Sequence, residues 1–158
     1  MTIAIYPGSF DPITNGHLDI LKSGSEIFDK VIFAVSYNAI KKGFLTINER
    51  IELIKQSVSD LKNVEVDSFE GLTVEYAKKM GADVLLRGLR TSFDFEYELQ
   101  LSQTNNALNK DLKTIFLITK PEYNFISSSM VREILLNNGD ISKFVPECVN
   151  KYLINRDI

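Results

Sequence analysis

Tyr6-Pro7-Gly8-Ser9-Phe10-Asp11-Pro12-Ile13-Thr14-Asn15-Gly16-His17 is the stretch that breaks the local rules kept by the rest of the chain. Before it, Thr2-Ile3-Ala4-Ile5-Tyr6 reads as a short buried strand; after it, Leu18, Leu21, Ser25 and Phe28 recur at helical spacing. A strand-to-helix loop is therefore expected. Two prolines and two glycines fix φ at some positions and free it at others, which suits a loop held in one shape against a ligand. A helix start also presents unpaired N–H groups and the positive end of the helix dipole, so an anion can settle there. His17, the chain's single histidine, stands at that start.

Outward from this loop the pattern alternates. Residues 31–35, 64–66, 84–86 and 114–118 read as strands, the first of them apolar throughout, as a strand covered on both faces should be. Between them lie helices. Thr46-Ile47-Asn48-Glu49 forms a capping box ahead of a stripe of Ile47, Ile51, Ile54, Val58 and Leu61. Residues 72–80 form a helix closed by Gly81, and residues 94–109 a long one. Ser127-Ser128-Ser129 opens a helix that carries Met130, Val131, Ile134 and Leu135 and is closed by Gly139. Pro146 suits the first turn of a last helix. Such alternation implies right-handed βαβ units. The expected fold is α/β: a Rossmann-like, doubly wound, five-stranded parallel sheet with helices on both faces, in one domain spanning residues 1–158. The unusual segments, residues 7–17, the surroundings of Lys41, and residues 87–90 and 123–129, all follow strands. Strand carboxyl ends in a doubly wound sheet share one rim, so these segments are expected to converge on one site.

Composition narrows the class. Hydrophobic residues at 44% and charged residues at 25% of 158 exclude disordered and fibrous readings. A net charge of −3 argues against a dedicated nucleic-acid binder, which would carry a basic face. Cys148 is the only cysteine, so no internal disulfide forms, and with one histidine a closed zinc site lacks ligands. No apolar run approaches the roughly 20 residues that span a bilayer, and residues 1–6 pass straight into a strand pattern. A cytoplasmic protein without membrane partners is expected.

Several side chains carry candidate chemistry. The imidazole of His17 can donate to an oxygen of a reacting phosphoryl group; the helix start favours its neutral form and a bound polyphosphate its cation, so its charge stays open. The hydroxyls of Ser9 and Thr14 can donate to phosphate oxygens or simply shape the loop. Asp11 can form a turn or touch a ligand, and Gly8 and Gly16 permit close backbone approach. Lys41 or Lys42 can hold a phosphate as a point charge. Arg87 and Arg90, either side of Gly88-Leu89, follow an apolar strand where simple solvation is difficult, and Glu98 can pair with Arg90. Ser127, Ser128 and Ser129 cap a helix and can form a second anion cradle reinforced by Arg132. Two anion sites on one rim suggest a nucleoside triphosphate and a second phosphorylated substrate. GxxxxGK[ST], GxGxxG and a nucleophile elbow are all missing, which leaves P-loop kinases, nicotinamide dehydrogenases and covalent catalysis without support.

Thr14-Asn15-Gly16-His17 resembles the T/H-x-G-H signature of the nucleotidyltransferase superfamily. With Pro7 to Pro12, Lys41, Arg87-Gly88-Leu89-Arg90, Asp94-Phe95-Glu96-Tyr97-Glu98 and Phe125-Ile126-Ser127-Ser128-Ser129, the chain resembles the phosphopantetheine adenylyltransferases over nearly its whole length. That resemblance implies transfer of the adenylyl group of ATP to 4′-phosphopantetheine by direct in-line displacement, giving dephospho-coenzyme A and pyrophosphate. It implies Mg2+ arriving with ATP, and a homohexamer. By the same resemblance His17, Lys41 and Arg90 would be catalytic. Ser9, Phe10, His17, Gly88, Leu89, Arg90, Glu98 and Tyr123, Asn124, Phe125, Ile126, Ser127, Ser128 and Ser129 would bind ATP. Ser9, Lys41, Thr73 and Arg87 would bind phosphopantetheine. Ser9 stands where the family often has threonine, and Thr73 and Tyr123 stand at positions the family varies. Alternatives are a sister enzyme with another acceptor, such as nicotinamide mononucleotide or glycerol phosphate, and a non-catalytic nucleotide-binding module.

Overall fold

β1 (Ile3–Gly8), β2 (Lys30–Tyr37), β3 (Val64–Glu70), β4 (Val84–Leu89) and β5 (Lys113–Ile118) pair in parallel in the order β3-β2-β1-β4-β5. This is the expected doubly wound sheet. The computed structural model describes residues 1–156; the last two residues of the expected domain span lie outside the described residues. α1 (Asn15–Ile27), α2 (Ile47–Ser57), α5 (Ser128–Leu136) and α6 (Glu147–Ile154) cover one face, and α3 (Thr73–Met80) and α4 (Ser92–Leu108) the other.

Period-two alternation decides which strand residues meet which layer. Ala4, Tyr6, Val31, Phe33, Val35, Val84 and Leu86 pack with Ile20 and Leu21 of α1, Leu53 and Ile54 of α2 and Val149 and Leu153 of α6. Ile5, Ile32, Ala34 and Leu85 face the opposite way, onto Val74 and Ala77 of α3. Both layers are apolar, so the central strands carry no polar face.

Several expected boundaries move. β1 continues through Pro7 and Gly8, expected in the loop, because β2 pairs with it as far as Val35. β4 runs through Arg87, Gly88 and Leu89, which therefore belong to a strand and not to a loop, because β5 pairs with it as far as Leu89 and Ile118. β3 is longer than residues 64–66, since β2 continues to Tyr37 and offers partners up to Glu70. At the end of α5 the left-handed residue is Asn138, with φ 58, and not Gly139. Gly139 is needed for packing: a Cβ there would stand 2.5 Å from the Cγ2 of Ile134. Pro146 caps α6 one residue before its first turn, whereas Gly81 closes α3 in the left-handed conformation as expected.

β1 bonds to β2 along its whole length, from Ile3–Lys30 to Gly8–Val35. To β4 it bonds only at Ala4–Val84 and Ile5–Leu85. Beyond those pairs β1 and β4 diverge, and a crevice opens at the point where the strand order reverses. Pro7 falls in the diverging part, where its missing N–H costs no ladder bond on the β4 side.

Leu21 is fully buried where α1 crosses the sheet. Leu21→Ala should lower the unfolding free energy by about 2–5 kcal/mol, with the slope of a urea titration unchanged.

Candidate functional site

A cavity of about 300 Å³ fills the crevice between the diverging ends of β1 and β4. Its walls come from the end of β1 and the loop after it, from the first turns of α1 and α5, and from Arg87, Gly88, Arg90, Asp94 and Glu98. Two helix N-termini therefore open onto one space.

Thr14 caps α1, and His17 is the third residue of that helix. A capping box forms with histidine in the place usually held by Glu: Thr14 Oγ1 accepts the His17 N–H at 3.4 Å, and the Thr14 N–H donates to His17 Nδ1 at 3.1 Å. Because Nδ1 is the acceptor, the ring proton of the neutral imidazole sits on Nε2. Burial lowers the His17 pKa first, and the charges of Arg90 and Arg87 lower it further, from 6.5 down to about 4. These causes favour the neutral imidazole near pH 7, with Nε2–H as the donor, while a bound polyphosphate would pull the other way. Phe10 supports His17 from below, its ring 5.0 Å from the imidazole edge-on and 4.1 Å from Phe33. Phe10 itself has φ 45, a left-handed conformation that costs a non-glycine residue about 1–3 kcal/mol.

Arg87 points to the α4 side of the sheet. Its Nε and Nη2 donate to the two carboxylate oxygens of Glu98 at 2.7 and 2.6 Å, and Nη1 donates to the Pro7 carbonyl at 2.8 Å. Glu98 therefore pairs with Arg87 and not with Arg90, because Arg87 and α4 share one face. Burial disfavours the Arg87 charge, and Glu98 more than offsets it, so the guanidinium pKa is raised. Arg90 pairs instead with Asp94, through Nε and Nη2 at 3.1 Å each, and its Nη1 donates to the Ile126 carbonyl at 2.9 Å. Burial pulls Asp94 upward, but the hydrogen bonds from the Arg90 side chain and backbone and from the Thr91 N–H hold its carboxyl below the usual range.

The structure places Ser9, Phe10, His17, Arg87, Gly88, Arg90, Glu98, Ile126, Ser127 and Ser128 on the cavity wall. Gly88 lets α1 approach: a Cβ there would stand 2.8 Å from Ile20 and 3.5 Å from the Tyr6 hydroxyl. Lys41 lies outside the cavity in the exposed β2–α2 loop, with Lys42 beside it. Thr73 begins α3, on the face of the sheet to which Arg87 points, and is off the cavity wall. Leu89, Tyr123, Asn124, Phe125 and Ser129 are also off the wall, although the Tyr123 carbonyl closes over Gly16, 3.5 Å from where its Cβ would be. The serine hydroxyls are engaged within the protein: Ser127 accepts the Met130 N–H, Ser128 donates to the Pro12 carbonyl, and Ser129 accepts from Arg132.

Asp11 takes the structural role of the two left open, accepting the N–H groups of Phe44 and Leu45 at 2.8 Å each and pairing with Arg50. Arg132 reaches the Asp11 carbonyl at 2.6 Å, so one arm braces the loop and the other touches Ser129. Sequence reading missed Tyr6, Ile20, Asp94 and Thr119 as wall residues. Asp94 carried a signal, as an acid in the third position of a capping box four residues after Arg90. Tyr6 looked like any strand residue; burial raises its hydroxyl pKa despite the opposing pull of Arg87, so it stays protonated.

A parallel α/β sheet with a T-x-G-H helix start at its switch point defines the nucleotidyltransferase class, and residues 5–134 match the cytidylyltransferase-like family. The chain is 51% identical over 156 residues to phosphopantetheine adenylyltransferase of Caldanaerobacter subterraneus subsp. tengcongensis, covering 99% of this chain and 98% of that one. It is 52% identical over 151 residues to the enzyme of that name from Thermosynechococcus vestitus, covering 96% and 90%. A solved structure from Vibrio parahaemolyticus, provisionally assigned as a nicotinate-nucleotide adenylyltransferase, superposes with a TM-score of 0.78 over 98% of this chain and 93% of that one. At 23% identity it shares the fold. The chain belongs to the phosphopantetheine adenylyltransferase family.

With a single histidine, a nuclear magnetic resonance titration of the imidazole is unambiguous. The midpoint is expected near 4, with a neutral Nε2–H nitrogen pattern at pH 7. In stability terms the sign is that of a depressed histidine: the folded state gives up stability as pH falls from the unfolded value of 6.5 towards 4. A midpoint near 6.5 would contradict the assigned tautomer and burial.

Proposed function

We propose that the chain transfers the adenylyl group of ATP to 4′-phosphopantetheine, releasing pyrophosphate and forming dephospho-coenzyme A. An oxygen of the phosphopantetheine phosphate attacks the α-phosphorus of ATP, forming the new P–O bond. The bond from the α-phosphorus to the bridging oxygen breaks, and pyrophosphate leaves with that electron pair. The observation that carries this reading is His17, whose Nδ1 accepts from the Thr14 N–H where two helix starts meet in one cavity. Its Nε2–H donates to an α-phosphate oxygen as charge builds there. The first turns of α1 and α5 supply backbone N–H groups for the remaining phosphate oxygens. The acceptor's identity rests on family membership.

Magnesium belongs to this reading as part of the substrate, MgATP. The wall carboxylates, Asp94 and Glu98, are committed to Arg90 and Arg87, and among the described residues no cluster of three acids, histidines or cysteines stands ready for a metal. The ion is therefore expected to keep water ligands and phosphate oxygens. Lys41 and Thr73 are proposed to meet phosphopantetheine at the outer mouth of the crevice. Leu89, Tyr123, Asn124, Phe125 and Ser129 are proposed to frame the ATP site around the wall residues.

Self-association as a hexamer is proposed with the same reaction. In α4 the described burial is limited to Glu98, while Phe93 is 81% and Tyr97 66% exposed, and Ile118 on the neighbouring edge strand is 82% exposed. Apolar surface of this extent favours covering by another copy. A cytoplasmic location is proposed from the unpaired Cys148 and from substrates of intracellular metabolism; among the described residues no helix is long and apolar enough to cross a membrane.

Pyrophosphate release from MgATP is expected to require phosphopantetheine and to fall by about 10²–10³ in His17→Ala with ATP affinity nearly intact. Release with nicotinamide mononucleotide or glycerol phosphate instead would reassign the acceptor, and ATP binding without any release would leave a binding module. Ile118→Lys is expected to shift sedimentation towards smaller species; an unchanged coefficient would remove the β5 edge from the interface.

A further inference from the structure

We propose that Arg50 is a positioning residue for the transfer step, holding Ser9 and Phe10 and the far end of the Lys41 loop in one fixed arrangement. The proposal rests on the reaction assigned above. Arg50 lies in α2 between Ile47, Ile51 and Ile54, on a stripe where periodicity calls for an apolar residue. Its side chain is 7% exposed and that of its partner Asp11 is 11% exposed. A guanidinium buried this deeply persists only where its donors are satisfied. Here they are: Nε and Nη2 donate to the Leu45 carbonyl at 3.0 and 2.8 Å, Nη2 to Asp11 Oδ2 at 3.1 Å, and Nη1 to the Ser9 carbonyl at 3.1 Å. Gly43 leaves the room, since a Cβ there would fall 1.7 Å from Nη2.

The Ser9 contact sets the direction of a donor. In a trans peptide the C=O and the following N–H point to opposite sides, so a Ser9 carbonyl held by Arg50 turns the Phe10 N–H away from α2. Ser9 and Phe10 line the cavity and Arg50 does not. The Phe10 N–H makes no hydrogen bond among the described residues, although Phe10 is otherwise buried. Directly after this peptide Phe10 holds a left-handed φ of 45, and the clamp opposes its relaxation. Asp11 completes the unit. Its carboxylate binds the N–H groups of Phe44 and Leu45, so the end of the β2–α2 loop moves only if the loop after β1 moves with it. Arg50 thus acts through the Phe10 N–H towards phosphate, and through Phe44 and Leu45 towards the segment bearing Lys41.

Arg50→Lys keeps a positive charge beside Asp11, but one ammonium group cannot serve Asp11, Leu45 and Ser9 together. In this variant kcat for pyrophosphate release is expected to fall about 10- to 100-fold, as misplaced reacting groups do, with the ATP dissociation constant from calorimetry within about threefold of wild type. Amide exchange at Phe44 and Leu45 is expected to quicken at least about tenfold as their partner loosens. The double variant Asp11→Asn/Arg50→Met strands no buried ion, so it folds even where a single variant does not, and it should show the same loss of kcat. Wild-type turnover in either folded variant overturns the proposal, as does ATP affinity falling in step with kcat, which would mark a purely structural residue. Should the wild-type protein itself release no pyrophosphate, the reaction assignment fails, and exchange at Phe44 and Leu45 still decides whether Arg50 holds the two segments.

Discussion

The ladder between β1 and β4 stops after Ala4–Val84 and Ile5–Leu85, and the site depends on that interruption. Two parallel strands feeding crossovers in opposite directions cannot keep pairing to their tips without closing the space where both crossovers begin. The separated backbone groups still need partners. Arg87 supplies one, its Nη1 reaching across the crevice to the Pro7 carbonyl. Because Glu98 holds the other edge of the same guanidinium, α4 is tied to the gap it borders. The cavity is therefore a spanned opening in the sheet with walls from several distant segments.

Charge inside that opening is nearly balanced before any substrate enters. Arg87 and Arg90, the arginines on the wall, each face a carboxylate, and the chain as a whole carries −3. Attraction of a polyphosphate by net field is weak under those conditions. Coulomb energy of about 4 kcal/mol for a unit pair at 4 Å in a surface-like dielectric is largely cancelled when a counter-charge sits equally close. What remains uncancelled is directional: backbone N–H groups at the starts of α1 and α5, the Nε2–H of His17 and the free N–H of Phe10. Charge-assisted hydrogen bonds of this kind contribute about 1.5–3 kcal/mol each when aligned, and little when not. The His17 and Phe10 donors are aimed at charge that builds during transfer, so their alignment bears on the rate more than on the affinity for ATP.

The parallel strands were legible because β2 and the inner part of β4 are apolar on both faces, a pattern that surface strands do not show. The loop after β1 and the T-x-G-H helix start were legible because proline, glycine and a lone histidine there contradict any helical or strand period. Strand ends were not, because β4 continues through Arg87-Gly88-Leu89 only where β5 offers partners, a long-range fact that no local pattern encodes. Pairing of Glu98 with Arg87 was hidden for the same reason: the choice between Arg87 and Arg90 depends on which sheet face α4 covers. α4 itself shows almost no amphipathic stripe, and its exposed aromatics look like a core without a partner until the face they occupy is known. Arg50 was not picked out from the sequence at all: its role needed the Ser9 carbonyl and Asp11 carboxylate beside it, which come from a loop some forty residues away.

Aim has a cost that the fold must carry. A phenylalanine held at φ 45 is less stable than its relaxed alternative, and a carbonyl and an imidazole each fixed in one direction give up conformational freedom. None would persist on a mobile loop. Their neighbours explain why they do: Phe33 and Tyr6 pack the Phe10 ring, Arg50 holds the peptide before it, Arg132 the carbonyl after it, and Thr14 the imidazole nitrogen. These contacts come from β1, β2, α1, α2 and α5. Elements separated by more than a hundred residues in sequence thus converge on residues 9–17, so a substitution far from the cavity can reach the chemistry through the side chains that hold this segment.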